Sequence, residues 1–233
     1  MKLNVTTGSN EVQDCLTKLD VDLVGICSVD DFKGTKLEEM ALRLLPGTNS
    51  IVVFAMEVFP EILGLAKSER ITGAGSMIEL LERHQEFLGS RLTKSAYDVA
   101  KVSRKNGLKA FPLPAAGCPI DTRFLSSVFS YKHAAQTAGL GYIGRSSLLI
   151  TQNFGPRVRL ACCLTEAVLE STKVPIKSVC SGCDVCISIC PAKALGLPGE
   201  GKLYEFNKFA CSSFRNASGG CAECMKLCPA GNN

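Results

Sequence analysis

Residues 180–191 read CSGCDVCISICP, which sets Cys180, Cys183, Cys186 and Cys190 at CxxCxxCxxxC spacing with Pro191 behind the last thiol. That is the ligand spacing of a 4Fe-4S cluster. In two-cluster ferredoxins the first three cysteines of such a run bind one cluster and the fourth reaches the other, so a second run is expected. Residues 221–229, CAECMKLCP, supply it through Cys221, Cys224, Cys228 and Pro229, but Ser218 stands where the leading cysteine belongs. Cys211, in FNKFACSSF between the two runs, is the one other cysteine of this region. The crossover rule then assigns Cys180, Cys183, Cys186 and Cys228 to one cluster, and Cys190, Cys211, Cys221 and Cys224 to the other.

Structural zinc also uses paired CxxC motifs, but it gives no reason for two CxxxCP endings. Disulfides fit poorly, because closely spaced thiols without a signal peptide suit a reducing compartment and metal binding. The remaining five of the thirteen cysteines lie outside this region. Of these, Cys15 and Cys27 fall in apolar elements and Cys162 and Cys163 on one strand, where packing is the expected role. Adjacent strand residues face opposite ways, so the last pair is not expected to share a metal.

Working outward, 233 residues that are 46% hydrophobic suffice for a real core and for two domains. No apolar run reaches the roughly 20 residues a membrane helix needs, and MKLNVTTGSNEVQD lacks a signal h-region, so a cytoplasmic protein with no membrane partner is expected. The formal charge of +4 counts every cysteine as neutral. Two oxidised clusters carry about −2 each, which leaves the loaded protein near neutral and makes no electrostatic case for nucleic acid.

Taken in order, NEVQDCLTKLD predicts a helix over 10–20, followed by a buried strand in VDLVGICSVD. DFKGTKLEEMALRLLPG predicts a second helix stopped by Pro46 and Gly47, and SIVVFAMEV the strongest strand. From Ser76 to Asn106, apolar residues from Met77 to Val102 recur at helical steps, with His84 expected on the surface and Asn106-Gly107 as the stop. Pro112, Pro114 and Pro119 predict an extended, irregular path with edge character that ends at Asp121. FLSSVFSYKHAAQTA then predicts a helix, SLLI a strand, and RVRLACCLTEAVL another. The helix lies before Gly139, Gly141 and Gly144, so their GxGxxG spacing is not a dinucleotide turn, which follows a strand and opens a helix. A helix C-cap is expected, then a tight backbone passage where a flat ligand or another strand comes close. The polar STKVPIKS sets a domain boundary near residue 172, dividing the chain into 1–172 and 173–233.

LVGICSVD, LLPGTNSIVVFA, SYKHAAQTAGLGYIGRSSLLIT, FGPRVRLACCLTE and the cluster region with its lone Cys211 together resemble the epoxyqueuosine reductase family, which is related to reductive dehalogenases. The resemblance covers nearly the whole chain. It implies an α/β (α+β) fold: a nitroreductase-like, cobalamin-binding domain over 1–172, then a two-cluster ferredoxin-like domain over 173–233. Electrons from a donor such as ferredoxin or flavodoxin would pass through two 4Fe-4S clusters to the corrinoid. The resemblance implies that Gly139, Gly141 and Gly144 bring backbone to the corrin, with Lys132, His133, Tyr142 and Arg157 around it. Asp121 is the candidate catalytic acid, if burial raises its pKa, and Tyr131 the rival donor. Asp121 also suits a helix N-cap before TRFLSSVF. A flavin is the alternative cofactor, since a fold does not fix function.

Full-length reductases of that family continue into a helical-repeat region that helps hold tRNA, whereas this chain stops soon after Cys228. On that ground tRNA is a doubtful substrate, and a small molecule or a corrinoid protein is the expected partner. Three readings follow. The first is an iron-sulfur oxidoreductase with its own substrate chemistry. The others are an electron-transfer protein that reduces a corrinoid or a partner protein, and a zinc-stabilised interaction module.

Overall fold

The computed structural model describes residues 5–65, 74–115, 120–176, 178, 180 and 182–231. The chain divides into two compact units: Met1–Met56 with Leu88–Leu140 and Arg159–Pro175, and Glu57–Phe87 with Gly141–Val158 and Ile176–Asn233. In chain order the elements are α1 Val5–Leu16, β1 Leu23–Ser28, α2 Val29–Phe32, α3 Lys36–Leu44, β2 Ser50–Glu57, α4 Pro60–Leu63 and α5 Ala74–Lys105. There follow β3 Ala110–Leu113, β4 Ile120–Asp121, β5 Ser126–Ser127, α6 Tyr131–Thr137, β6 Gly141–Ile143, β7 Leu149–Thr151 and β8 Val158–Thr165. The C-terminal part holds α7 Val185–Ser188, β9 Leu195–Gly196, β10 Glu205–Phe206, α8 Lys208–Ser218 and α9 Glu223–Lys226.

The fold is mixed α/β. Its main sheet has the strand order β1-β2-β8-β3, and the β1–β2 and β8–β3 pairs are antiparallel. Asn49 N donates to Thr165 O and Val58 N to Arg157 O, so β2 and β8 also run antiparallel. Every neighbouring pair in this sheet is therefore antiparallel. Strands β2 and β8 lie at its centre, and Ile51, Val52, Val53, Phe54, Ala161, Cys162, Cys163 and Leu164 are fully buried. Successive strand residues face opposite ways, so burial of both parities means both faces are covered. The expected packing role of Cys162 and Cys163 follows directly, and burial pushes the Cys163 thiol up to about 12.

Helix α5 ends as the Asn106-Gly107 pair dictates, with Gly107 at φ +75° and Leu108 N donating back to Ser103 O. Leu88, Leu92, Ala96 and Val99, at three- and four-residue steps, bury one stripe of it against Val12, Leu16, Ile26 and Phe54. Leu80 and Phe87 are exposed, and the Met77 side chain lies outside the described residues. His84, expected on the surface, is half-buried: its ring stacks at 5.1 Å on Phe59 and its Nε2 accepts from the Phe59 N–H at 3.4 Å. Under this core, Ser103 and Thr165 are fully buried and share a hydrogen bond of 3.1 Å, while Thr165 Oγ1 also accepts from Ala167 N. Replacing Thr165 with valine keeps the shape and strands both partners, so urea unfolding should show a loss of about 1–3 kcal/mol.

Local conformation departs from the sequence reading in three places. The single helix expected over DFKGTKLEEMALRLLPG is two, α2 and α3, because Gly34 turns to φ +71° and Thr35 starts a new helix. FLSSVF forms no helix; β4 and β5 pair as a hairpin, with Leu125 at φ +43° in its turn. Its serines carry short side chains that compete for backbone groups, as the bond of Ser127 Oγ to Phe129 O illustrates. The segment expected as a linker is tied down at its start. Ile26 N donates to Thr172 Oγ1 at 2.8 Å, Thr172 N returns a bond to Ile26 O, and Thr172 Oγ1 reaches Ala138 O at 2.9 Å.

The prolines behave as edge residues. Glu166 N donates to Lys109 O, so Lys109, Phe111 and Leu113 make the bonds to β8, and Ala110 and Pro112 point their backbone groups away. Pro112 therefore costs the sheet no ladder bond. Cys118 and Pro119 lie outside the described residues. Among the described residues no helix is long and apolar enough to cross a membrane.

Candidate metal centre

The seven cysteines of the two runs and Cys211 between them all belong to the second compact unit. Cys180 and Cys183 lie on a turn opened by Gly182 at φ +76°, with Cys183 N bonded to Cys180 O. Cys186 sits on α7 and Cys224 on α9, and each short helix is followed by a Cys-Pro step that cannot continue it. Cys211 rides on α8, whose start is capped by Asn207 Oδ1 accepting from Ala210 N at 3.0 Å. Ser218, at the place of a missing cysteine, closes α8: its hydroxyl lies 2.8 Å from Phe214 O and 2.9 Å from Gly220 O.

The thiols fall into two electrostatic neighbourhoods. Burial pushes Cys186 up to about 11, and its charged neighbours Cys180, Cys228 and Cys183 push the same way. Cys228 is raised by burial and then by Cys180 and Cys183, while the Arg157 guanidinium opposes them. Burial pushes Cys224 up to about 12, followed by Cys221, Cys211, Cys186 and Cys190. Cys211 is raised by burial, Cys221 and Cys190 against the pull of Arg215. Burial makes Cys186, Cys211, Cys224 and Cys228 resist deprotonation until a cationic core neutralises them, and a set of eight soft thiols fits iron-sulfur clusters. Among the described residues no three His, Cys, Asp or Glu side chains converge on a single metal ion. A four-iron core takes its thiolates from farther apart than one ion does.

The glycine block from 141 to 158 belongs to the same unit. Strands β6 and β7 pair Gly141 with Thr151 and Tyr142 with Ile150, and this fixes Tyr142 with its hydroxyl 3.7 Å from Cys180 Sγ. A side chain on Gly144 would begin 3.1 Å from that same sulfur and 2.7 Å from Ile150. Arg145 bonds Cys183 O at 3.3 Å and pairs with Asp184. At the other end of the block, Gly155 and Gly231 pack backbone to backbone. Arg157, 5% exposed, donates to Gly231 O at 2.8 Å and faces Glu57 at 3.7 Å. The sequence reading set Tyr142 and Arg157 beside a corrin; here Tyr142 reaches Cys180 and Arg157 reaches Gly231, just past the second cysteine run. Sequence spacing gave no sign of this, since the contacts join residues 38 and 74 positions apart.

The other candidate residues lie in the first unit. Gly139, at φ +77°, caps α6, and a side chain there would strike Val174 N at 2.6 Å. At Gly141 it would strike Ile150 O at 2.3 Å. On the side where a Cβ would project, all three glycines are backed by the chain's own atoms, which fits a close strand passage. Tyr131 donates its hydroxyl to Pro114 O at 2.7 Å. Lys132 is half-buried and His133 exposed at the start of α6, with His133 Nδ1 2.6 Å from Ser130 Oγ. Partial loss of water around the His133 ring, then Lys132 and Lys36, lowers its pKa. Asp121 does not meet the condition attached to a catalytic acid. Arg123 binds both its carboxylate oxygens, at 3.1 and 2.8 Å, and holds its pKa below the usual carboxylate value. It caps no helix; its Oδ1 accepts from Arg123 N at 3.0 Å within the hairpin turn.

The mixed α/β fold is one already known from solved structures. A catabolic reductive dehalogenase in complex with 3-bromo-4-hydroxybenzoic acid superposes on 94% of this chain and 31% of its own, with a TM-score of 0.67 and 21% identity. An epoxyqueuosine reductase with a tRNA stem loop superposes on 99% of this chain and 67% of its own, with a TM-score of 0.60 and 20% identity. In sequence, the tetrachloroethene reductive dehalogenase of Dehalobacter restrictus is 32% identical over 60% of this chain and 27% of its own length. The epoxyqueuosine reductase of Bacillus subtilis is 25% identical over 97% of this chain and 64% of its own. No family profile matches. The chain is a relative of the epoxyqueuosine reductases and, with them, of the reductive dehalogenases. It spans about a quarter of the dehalogenase and about two thirds of the reductase.

These findings correct one expectation. Chain length had made tRNA a doubtful substrate, yet the reductase solved with its tRNA stem loop matches 99% of this chain. The C-terminal position of Cys228 is therefore no argument against tRNA.

Proposed function

We propose that this chain is an iron-sulfur oxidoreductase that carries electrons through two 4Fe-4S clusters to a reductive reaction. The observation that carries the reading is the spacing of the cysteines, from which the crossover rule assigns Cys180, Cys183, Cys186 and Cys228 to one cluster, and Cys190, Cys211, Cys221 and Cys224 to the other. When bound, such clusters supply single-electron steps at low potential. In this reading the segment 173–233 is a two-cluster ferredoxin-like domain and 1–172 a nitroreductase-like one that holds the final acceptor. The chain's residues fix the thiolates, shield them from water and supply hydrogen bonds to sulfur.

Cobalamin as that acceptor is supported by the relatives, one of which has a structure that suggests B12-dependent dehalogenation. Lys132 and His133 are among its candidate contacts. A donor such as ferredoxin or flavodoxin would feed the clusters. A tRNA carrying epoxyqueuosine is the first substrate to test, since the reductases match this chain over nearly all its length. Organohalides are the second.

Iron and acid-labile sulfide analysis of anaerobically purified protein tests the core of the proposal, with about eight irons and as many sulfides expected per chain. One or two zinc ions and no sulfide would replace it with the zinc-module reading. Titration of the iron-loaded protein with cobalamin tests the acceptor, and an unchanged corrinoid spectrum would remove it.

A further inference from the structure

We infer that Tyr142 is a positioning residue for the cluster held by Cys180, Cys183, Cys186 and Cys228, its hydroxyl donating to the Cys180 sulfur and raising that cluster's reduction potential. The inference rests on the two-cluster reading and adds to it a residue outside the cysteine runs.

The direction of the bond follows from chemistry. Tyr142 oxygen and Cys180 Sγ lie 3.7 Å apart, and in the free protein either could donate. A thiolate bound to iron has lost its proton and can only accept, so the phenol must supply the hydrogen. The approach is built into the backbone. The Tyr142–Ile150 pairing fixes the tyrosine, and a side chain at Gly144 would start 3.1 Å from the same sulfur. Arg145 holds the neighbouring turn through Cys183 O and Asp184.

A hydrogen bond to a ligand sulfur draws off negative charge, which favours the reduced, more negative cluster. The effect is confined to one cluster. In the second neighbourhood Cys190 Sγ accepts from the backbone N–H of Ala194 at 3.3 Å, a donor that no change at Tyr142 removes.

The test is an electron-paramagnetic-resonance redox titration of anaerobically loaded wild-type and Tyr142→Phe proteins, with iron counted in both. Wild-type protein with far fewer than about eight irons would defeat the two-cluster reading itself. With full loading, one of the two midpoints should move to a more negative potential while the other stays. Two unmoved midpoints, or equal shifts of both, would overturn the role of Tyr142. If Tyr142→Phe fails to load, 3-fluorotyrosine placed at position 142 retains the ring and strengthens the donor. Measured at mildly acidic pH, where the phenol stays protonated, it should move the same midpoint to a more positive potential. No movement there would also overturn the inference.

Discussion

Replacing Gly155 with alanine should abolish accumulation of folded, iron-loaded protein. Gly155 sits at φ +53°, where a side chain alone costs about 1–3 kcal/mol. The added methyl would also lie 1.9 Å from Ala230 O, a backbone atom that cannot swing aside. Gly231 answers from the other chain segment at φ +78°, its missing side chain leaving room for Gly155 N at 2.2 Å. Separating the two segments would take Gly231 O from the Arg157 guanidinium, which is almost fully buried. Together these put the loss above about 4 kcal/mol, in the range reserved for severe core damage. Cys228 lies just ahead of the displaced residues, so the iron content should fall along with the melting temperature. Native iron content with an unchanged melting curve would show that the backbone contact is dispensable.

The second large effect is expected from Cys211→Ala. Alanine is the best helix former, so α8 and its Asn207 cap should persist, and the loss should be confined to one thiolate. In the proposed assignment iron drops from about eight to about four per chain, and the spectrum of the remaining cluster survives. Unchanged iron would refute the place given to Cys211. Loss of all iron would instead mean that the two clusters assemble as one unit.

Residue types and spacing alone suggest the proposed metal centre, because thiolate sets of this kind are local in sequence and chemically narrow. The long helix α5 and the central strands were equally readable from apolar periodicity and from Asn106-Gly107. What escaped was contact at long range. Tyr142 and Arg157 stand in a glycine-rich block that suggests a ligand cradle, yet their hydrogen bonds depend on where the fold brings residues 180 and 231. The FLSSVF stretch has helix-like apolar spacing, and only the Asp121–Arg123 pairing and the left-handed Leu125 reveal a hairpin. Asp121 was judged by type, and its neighbour Arg123 decided its charge.

The two edges of the main sheet bear on how the protein avoids pairing with its own copies. Along β3, Pro112 presents no N–H outward, and along β1 the outward groups of Ile26 are taken by Thr172. Neither border offers the open row of donors and acceptors on which a second chain could polymerise strand by strand. At these two positions the sheet therefore interrupts a strand template for amyloid-like growth. That protection is written in one proline and one threonine, neither of them a candidate ligand.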